Sequence, residues 1–153
     1  MVTVNLELVE KGYEIIGKPC PHCNSELFFR IVNNEVQFTG ANQDIYTFQK
    51  GEMVVIKGDR MPVGIHSEGG KPFSAQTFKL NRGDTLYMLT DGYPDQFGGP
   101  KRKKYGTLRL KSLLTGLQTS IMHDQKAAVE KEFDTWKGDH EQIDDVLMIG
   151  IQV

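Results

Sequence analysis

Leu86–Gly99, LYMLTDGYPDQFGG, is the stretch on which the reading of this chain turns. Its first five residues, Leu86 to Thr90, form an apolar run with the character of a buried strand, and the run ends on Asp91-Gly92, with a second acid at Asp95. A strand end is rigid, so a carboxylate there can aim a hard oxygen ligand at a fixed point, as Mg²⁺ or Mn²⁺ requires. A second pair of acids, Asp144-Asp145, opens the apolar stretch DDVLMIGIQV, which reads as a strand beginning at Asp144. If the two strands are neighbours, Asp91 and Asp144 meet, and Gly92, lacking a Cβ, lets backbone approach an ion or ligand closely. The plainer alternative is an Asp-Gly turn and a solvated Asp-Asp loop, and spacing alone does not separate the two.

Upstream of Leu86 lie the short apolar or alternating runs ELFFRIV, EVQFTG, DIYTF, EMVVIKG and SAQTFKL. Asn33-Asn34, Lys50-Gly51 and Asn81-Arg82-Gly83-Asp84 separate several of them with residues that accept positive φ, which predicts a meander of antiparallel strands. After Gly99 the period becomes helical. Leu108, Leu110, Leu113, Leu114 and Leu117 fall mostly on one stripe, and Gln125, Val129, Phe133 and Trp136 on another, with Gly138 as the stop. The sum is an α+β domain of strands, two helices and a last strand, with no repeat, linker or low-complexity tract.

The 153 residues fit one domain with a sizeable core. Lys and Arg (18) nearly balance Asp and Glu (20), so there is no global basic field for nucleic acid or an anionic membrane. No apolar run approaches a membrane span, and MVTVNLELVEKG has neither the basic start nor the apolar stretch of a signal peptide, so a cytoplasmic location is expected.

The ordered segments GANQDIY, GDRMPVGI, LNRGDTLYMLTDGYPDQFGG and EFDTWKGDHEQIDDVLMIGI resemble the C-terminal half of the SpoIIE-like branch of the PPM-type metal-dependent serine/threonine phosphatases. The resemblance covers residues 26–153 of the single domain 1–153 and leaves residues 1–25 outside it. It implies a PPM-phosphatase-like antiparallel β-sandwich flanked by helices, incomplete at the N-terminal half. It also implies that Asp91 and Asp144 ligate the two catalytic ions, Mn²⁺ or Mg²⁺, with Gly92 and Asp145 in support, and that a metal-activated water attacks phosphoserine or phosphothreonine on a bacterial regulatory protein such as an anti-sigma-factor antagonist. Asp95 is expected at a helix N-terminus or behind the ligands rather than among them.

The family's early bridging aspartate, in a stretch resembling DCTGHG, has no counterpart in this sequence, where no Asp precedes Asp44. Activity of this chain by itself is therefore in question, and homo-oligomerisation or pairing with an N-terminal half is expected. The alternative is a non-catalytic phosphatase-like module that self-associates or binds a signalling partner.

Three further features carry weaker signals. Cys20-Pro-His-Cys23 is half of a zinc ribbon without a second CxxC, open to reading as two free thiols, a redox pair or a zinc site shared between chains. His66 and SEGGKPF form a Gly-rich loop or a flap. Lys101–Lys104 is a solvated basic turn or a surface met by substrate.

Overall fold

The computed structural model describes residues 2–5, 13–16, 28–61 and 72–153, with side chains from Ile31 onward. Cys20, Cys23 and the His66 loop lie outside the described residues.

Eleven strands and three helices are assigned among the described residues. One sheet contains β1 (Val2–Asn5), β11 (Met148–Gln152), β8 (Thr85–Leu89), β5 (Ile45–Gln49) and β6 (Glu52–Ile56), in that order. A second contains β2 (Tyr13–Ile16), β3 (Phe28–Val32), β4 (Glu35–Phe38) and β7 (Gln76–Lys79). The remaining strands, β9 (Phe97–Gly98) and β10 (Lys103–Lys104), form a small hairpin. Pairing is antiparallel except between β1 and β11, which run parallel.

The hairpin turns follow the local chemistry. Asn33 and Asn34 (φ 50° and 62°) close β3–β4, and Lys50 and Gly51 (φ 52° and 83°) close β5–β6, both with the paired positive φ values whose twist matches the flanking strands. Before β8, buried Asp84 accepts a hydrogen bond from Asn81 N at 2.7 Å and another from Lys50 N at 3.2 Å, tying two turns together. The expected single meander is instead divided. The chain leaves β4 for β5 in the other sheet and returns at β7, because β5 and β8 alternate apolar residues on both faces and so need cover on both sides.

On one face of the five-stranded sheet, Ile45, Leu86 and Ile151 pack with Ile31, Val36, Phe38 and Leu80 between the sheets. On the other, Tyr46, Phe48, Tyr87, Leu89 and Met148 pack against α2 (Thr107–Leu117) and α3 (Met122–Lys137). Leu110 and Leu114 of α2 are buried, as are Gln125, Val129 and Phe133 of α3, matching the expected stripes. Leu108 departs from its stripe and is 83% exposed. Gly138, at φ +53°, stops α3 as expected, its N–H bonding Asp134 O at 2.9 Å. No helix among the described residues is long and apolar enough to cross a membrane.

Candidate metal and phosphoryl site

β8 delivers its C-terminal end into a one-turn helix, α1 (Gly92–Asp95). Asp91 occupies the position before it, exposed, with no hydrogen bond from its carboxylate back to the helix. Its main-chain oxygen accepts from Asp95 N at 2.9 Å, so the turn is closed by backbone and the carboxylate is left to solvent. The helix is anchored from below. Tyr93 is buried in the aromatic cluster with Tyr105 and Phe133 and donates its hydroxyl to Val129 O at 2.9 Å. Burial raises the pKa of both Tyr93 and Tyr105, and the Glu132 carboxylate adds to the effect in each, so both phenols stay neutral.

Asp144 is also exposed, but the strand expected to begin there begins at Met148. The reason is local. Gln142 Nε2 and Asp145 N are spent on Asp144 itself, on its main-chain oxygen at 2.8 Å and its Oδ1 at 2.7 Å, which forms a compact bend. The antiparallel register pairs Met148 with Leu89 and so carries the bend to the end of the sheet where Asp91 stands.

Thr90 joins the two acidic segments. Its N–H donates to Leu147 O at 3.0 Å, its hydroxyl donates to Asp145 O at 2.7 Å, and Leu147 N donates to that hydroxyl at 2.9 Å. Gly92 lies so close beneath that a Cβ there would collide with the Asp145 carbonyl and come within 3.2 Å of Val146 Cγ2. The structure thus brings the segments of Asp91, Gly92, Asp144 and Asp145 together, Gly92 serving the close approach of protein backbone.

Gln96 and Thr90 are positioning residues that sequence reasoning missed. Gln96, fully buried, donates from Nε2 to Glu141 O at 2.9 Å and accepts at its main-chain oxygen from Trp136 Nε1 at 3.0 Å, fixing the start of the second acidic segment. A polar residue between the apolar Tyr93 and Phe97 carries no signal of such a bond. Trp136, the last residue of the stripe on α3, is half-buried against the core and carries the Arg109 guanidinium 3.9 Å from its ring centre. Asp95 lies in the single turn of α1, as its last residue, and pairs with Lys104 Nζ at 2.7 Å.

Asp91 and Asp144 offer hard oxygen donors of the type a divalent ion takes. Among the described residues, however, no group of three or more His, Cys, Asp or Glu side chains converges. The two carboxylates are donors of the right kind for part of a divalent-ion site, which needs further ligands beyond them.

Beside Asp91 opens a cleft of about 370 Å³, walled by Asn42–Asp44, Lys57 and Arg60 on one side and by Pro94, Asp95, Thr107 and Lys111 on the other. Asn42 N to Asp59 O at 2.7 Å and Asp59 N to Gly40 O at 2.9 Å hold the first wall. Gln43 Nε2 reaches Leu89 O, and Asp44 accepts from Arg60 at 2.8 Å. Tyr46 lies on the cleft's apolar floor, its pKa raised by burial and further by the Asp44 charge.

Residues 28–153 match the family model for stage II sporulation protein E (SpoIIE). The SiaA-PP2C domain of Pseudomonas aeruginosa superposes with a TM-score of 0.74 at 24% identity, over 82% of this chain and 50% of that one. The PP2C phosphatase domain of Bacillus subtilis SpoIIE with a fragment of its regulatory domain gives 0.66 at 17% identity, over 84% and 37%. The phosphatase domain of the same protein, presoaked with Mn, gives 0.54 at 15%, over 94% and 56%. The fold is thus the PP2C phosphatase fold, and the chain spans about half the length, or less, of these structures. No curated relative matches the chain.

Proposed function

The chain belongs to the stage II sporulation protein E family, and on that premise we propose that it carries the C-terminal part of a phosphatase active site acting on phosphoserine or phosphothreonine of a regulatory protein, such as an anti-sigma-factor antagonist, in the cytoplasm. One observation carries the reading: Thr90 and Gly92 hold the segments of two exposed acids, Asp91 and Asp144, against each other at one end of the sheet. In this reading Asp91 and Asp144 would hold Mn²⁺ or Mg²⁺, which when bound supplies Lewis-acid polarisation of a phosphoryl oxygen and a water acidic enough to act as nucleophile. Asp145 contributes its carbonyl to the Thr90 bond and thereby orients Asp144. Gly92 keeps the segments in register.

The missing ligand would come from an N-terminal half of the domain or from a second copy of the chain. Ile143 and Leu147, 55% and 43% exposed on either side of the acid pair, are apolar surface that such a partner would cover.

Manganese titration by calorimetry, run beside Mn²⁺-dependent hydrolysis of an aryl phosphate, tests the proposal on the wild type, Asp91→Asn and Asp144→Asn. Binding and turnover that disappear in both variants are the expected result. Wild type indistinguishable from the variants in both assays, by itself and with an N-terminal half of the domain supplied, would sink it. The alternative of a non-catalytic interaction module, favoured by the shortage of a third ligand among the described residues, would then stand.

A further inference from the structure

The cleft beside Asp91 holds three acids, Asp44, Asp91 and Asp95, and three bases, Lys57, Arg60 and Lys111. Its charges are unequally committed. Asp44 is neutralised by Arg60 at 2.8 Å, and Asp95 by Lys104, at the foot of the β9–β10 hairpin, at 2.7 Å. Asp91 is assigned above to a metal ion. Lys57 and Lys111 remain, one on each wall, with no ion pair among the described residues. Lys111 is half-buried, its ammonium 5.7 Å from the centre of the Tyr46 ring, so the charge is held over the cleft floor rather than released to solvent.

A phosphoryl group at Asp91 and Asp144 has to bring its own polypeptide with it, and this cleft adjoins Asp91. We propose that the cleft seats the residues flanking the phosphorylated one and selects acidic side chains there through Lys57 and Lys111. The substrate class is then a phosphoprotein segment rich in Asp or Glu around the phosphorylated residue. This rests on the phosphatase reading above and goes beyond it by naming what the site recognises outside the phosphoryl group. Two lysines with apolar floor between them suit carboxylates on an extended chain, because each ammonium can meet one side chain while the backbone lies over Tyr46 and Val55.

Fluorescence anisotropy with labelled peptides carrying a non-hydrolysable phosphonate in place of phosphoserine, one flanked by aspartates and one by alanines, tests the proposal with Mn²⁺ present, so that Asp91 is neutralised and nothing is hydrolysed. The acidic peptide is expected to bind about 5-fold tighter at low salt. Lys57→Glu and Lys111→Glu should each reduce that ratio towards one, Lys111→Arg should keep it, and Lys131→Glu, on the exposed face of α3, should leave it unchanged. Equal binding of the two peptides, no binding of either, or loss of the ratio in Lys131→Glu as readily as in the cleft variants overturns the proposal. Failure of the phosphatase reading is seen separately, as absent Mn²⁺ binding in the calorimetry and absent turnover of the aryl phosphate, while the peptide ratio is read between two peptides under one condition.

Discussion

Asp91 and Asp144 stand at the same end of one sheet but are held there by different means. Asp91 lies two positions beyond the end of β8 and is framed by α1, whose Tyr93 is sunk in the aromatic cluster and bonded to α3. Asp144 lies four positions before β11, in the exposed run Glu141–Asp145, where its own hydrogen bonds are local. The core places the first acid directly. The second is placed mainly by contact with the first one's turn, through Thr90 and Gly92, and by Gln96 at its start. The geometry of the site therefore depends less on the acids than on the small residues between them.

That asymmetry can be broken most forcefully at Gly92. Gly92→Val drives side-chain atoms into the Asp145 carbonyl and should cost about 3 kcal/mol, lowering the melting temperature by roughly 8 °C. Differential scanning calorimetry measures this, and a melt within about 1 °C of wild type would show that the two segments are not in tight contact. Thr90→Val keeps the shape and removes the hydroxyl that bridges Asp145 O and Leu147 N, for an expected loss of about 1 kcal/mol in urea denaturation. Hydrogen exchange at the Leu147 amide should accelerate, while the Asp95 amide, bonded within the first turn, keeps its rate.

The acids themselves should matter little to stability. Asp91→Ala and Asp144→Ala are both expected within about 0.5 kcal/mol of wild type, because each carboxylate is exposed. A larger loss for Asp144→Ala than for Asp91→Ala would sharpen the contrast, since only Asp144 bonds its neighbour's backbone.

The pH dependence probes the core that anchors the first acid. Tyr46, Tyr87, Tyr93 and Tyr105 all have raised pKa values, chiefly through burial. A raised phenol pKa favours the native state while the phenol is protonated. The contribution is thus complete below the unfolded value of about 10 and is lost as pH rises from there towards the folded values. Thermal melts across the alkaline range should therefore fall above about pH 10. Absorbance at the phenolate band should show these tyrosines titrating late in the native protein and near pH 10, roughly, once unfolded.

Much of this was readable along the chain because the signals are local. Asn33-Asn34 and Lys50-Gly51 dictate hairpins by their tolerance of positive φ, and the leucine and valine periods of α2 and α3 follow from which residues must be buried. The acid at the end of β8 was visible for the same reason. The partition of the strands between two sheets was hidden, since an alternating strand does not state which neighbour covers each face. The late start of β11 was hidden too. Apolar Val146 and Leu147 look like strand, yet Leu147 gives its N–H to the Thr90 hydroxyl rather than to the carbonyl of a neighbouring strand.

The sequence by itself determined the strand and helix types, the turns and the two acidic motifs, because backbone propensity and apolar period act over a few residues. Tertiary structure alone decided that Thr90 would bridge to Asp145 and Leu147, that Gln96 would hold Glu141, and that Lys57 and Lys111 would face one cleft. Those relations join residues remote in the chain, and only the packing of β8 beside β11, with helices over one face, brings them within bonding distance.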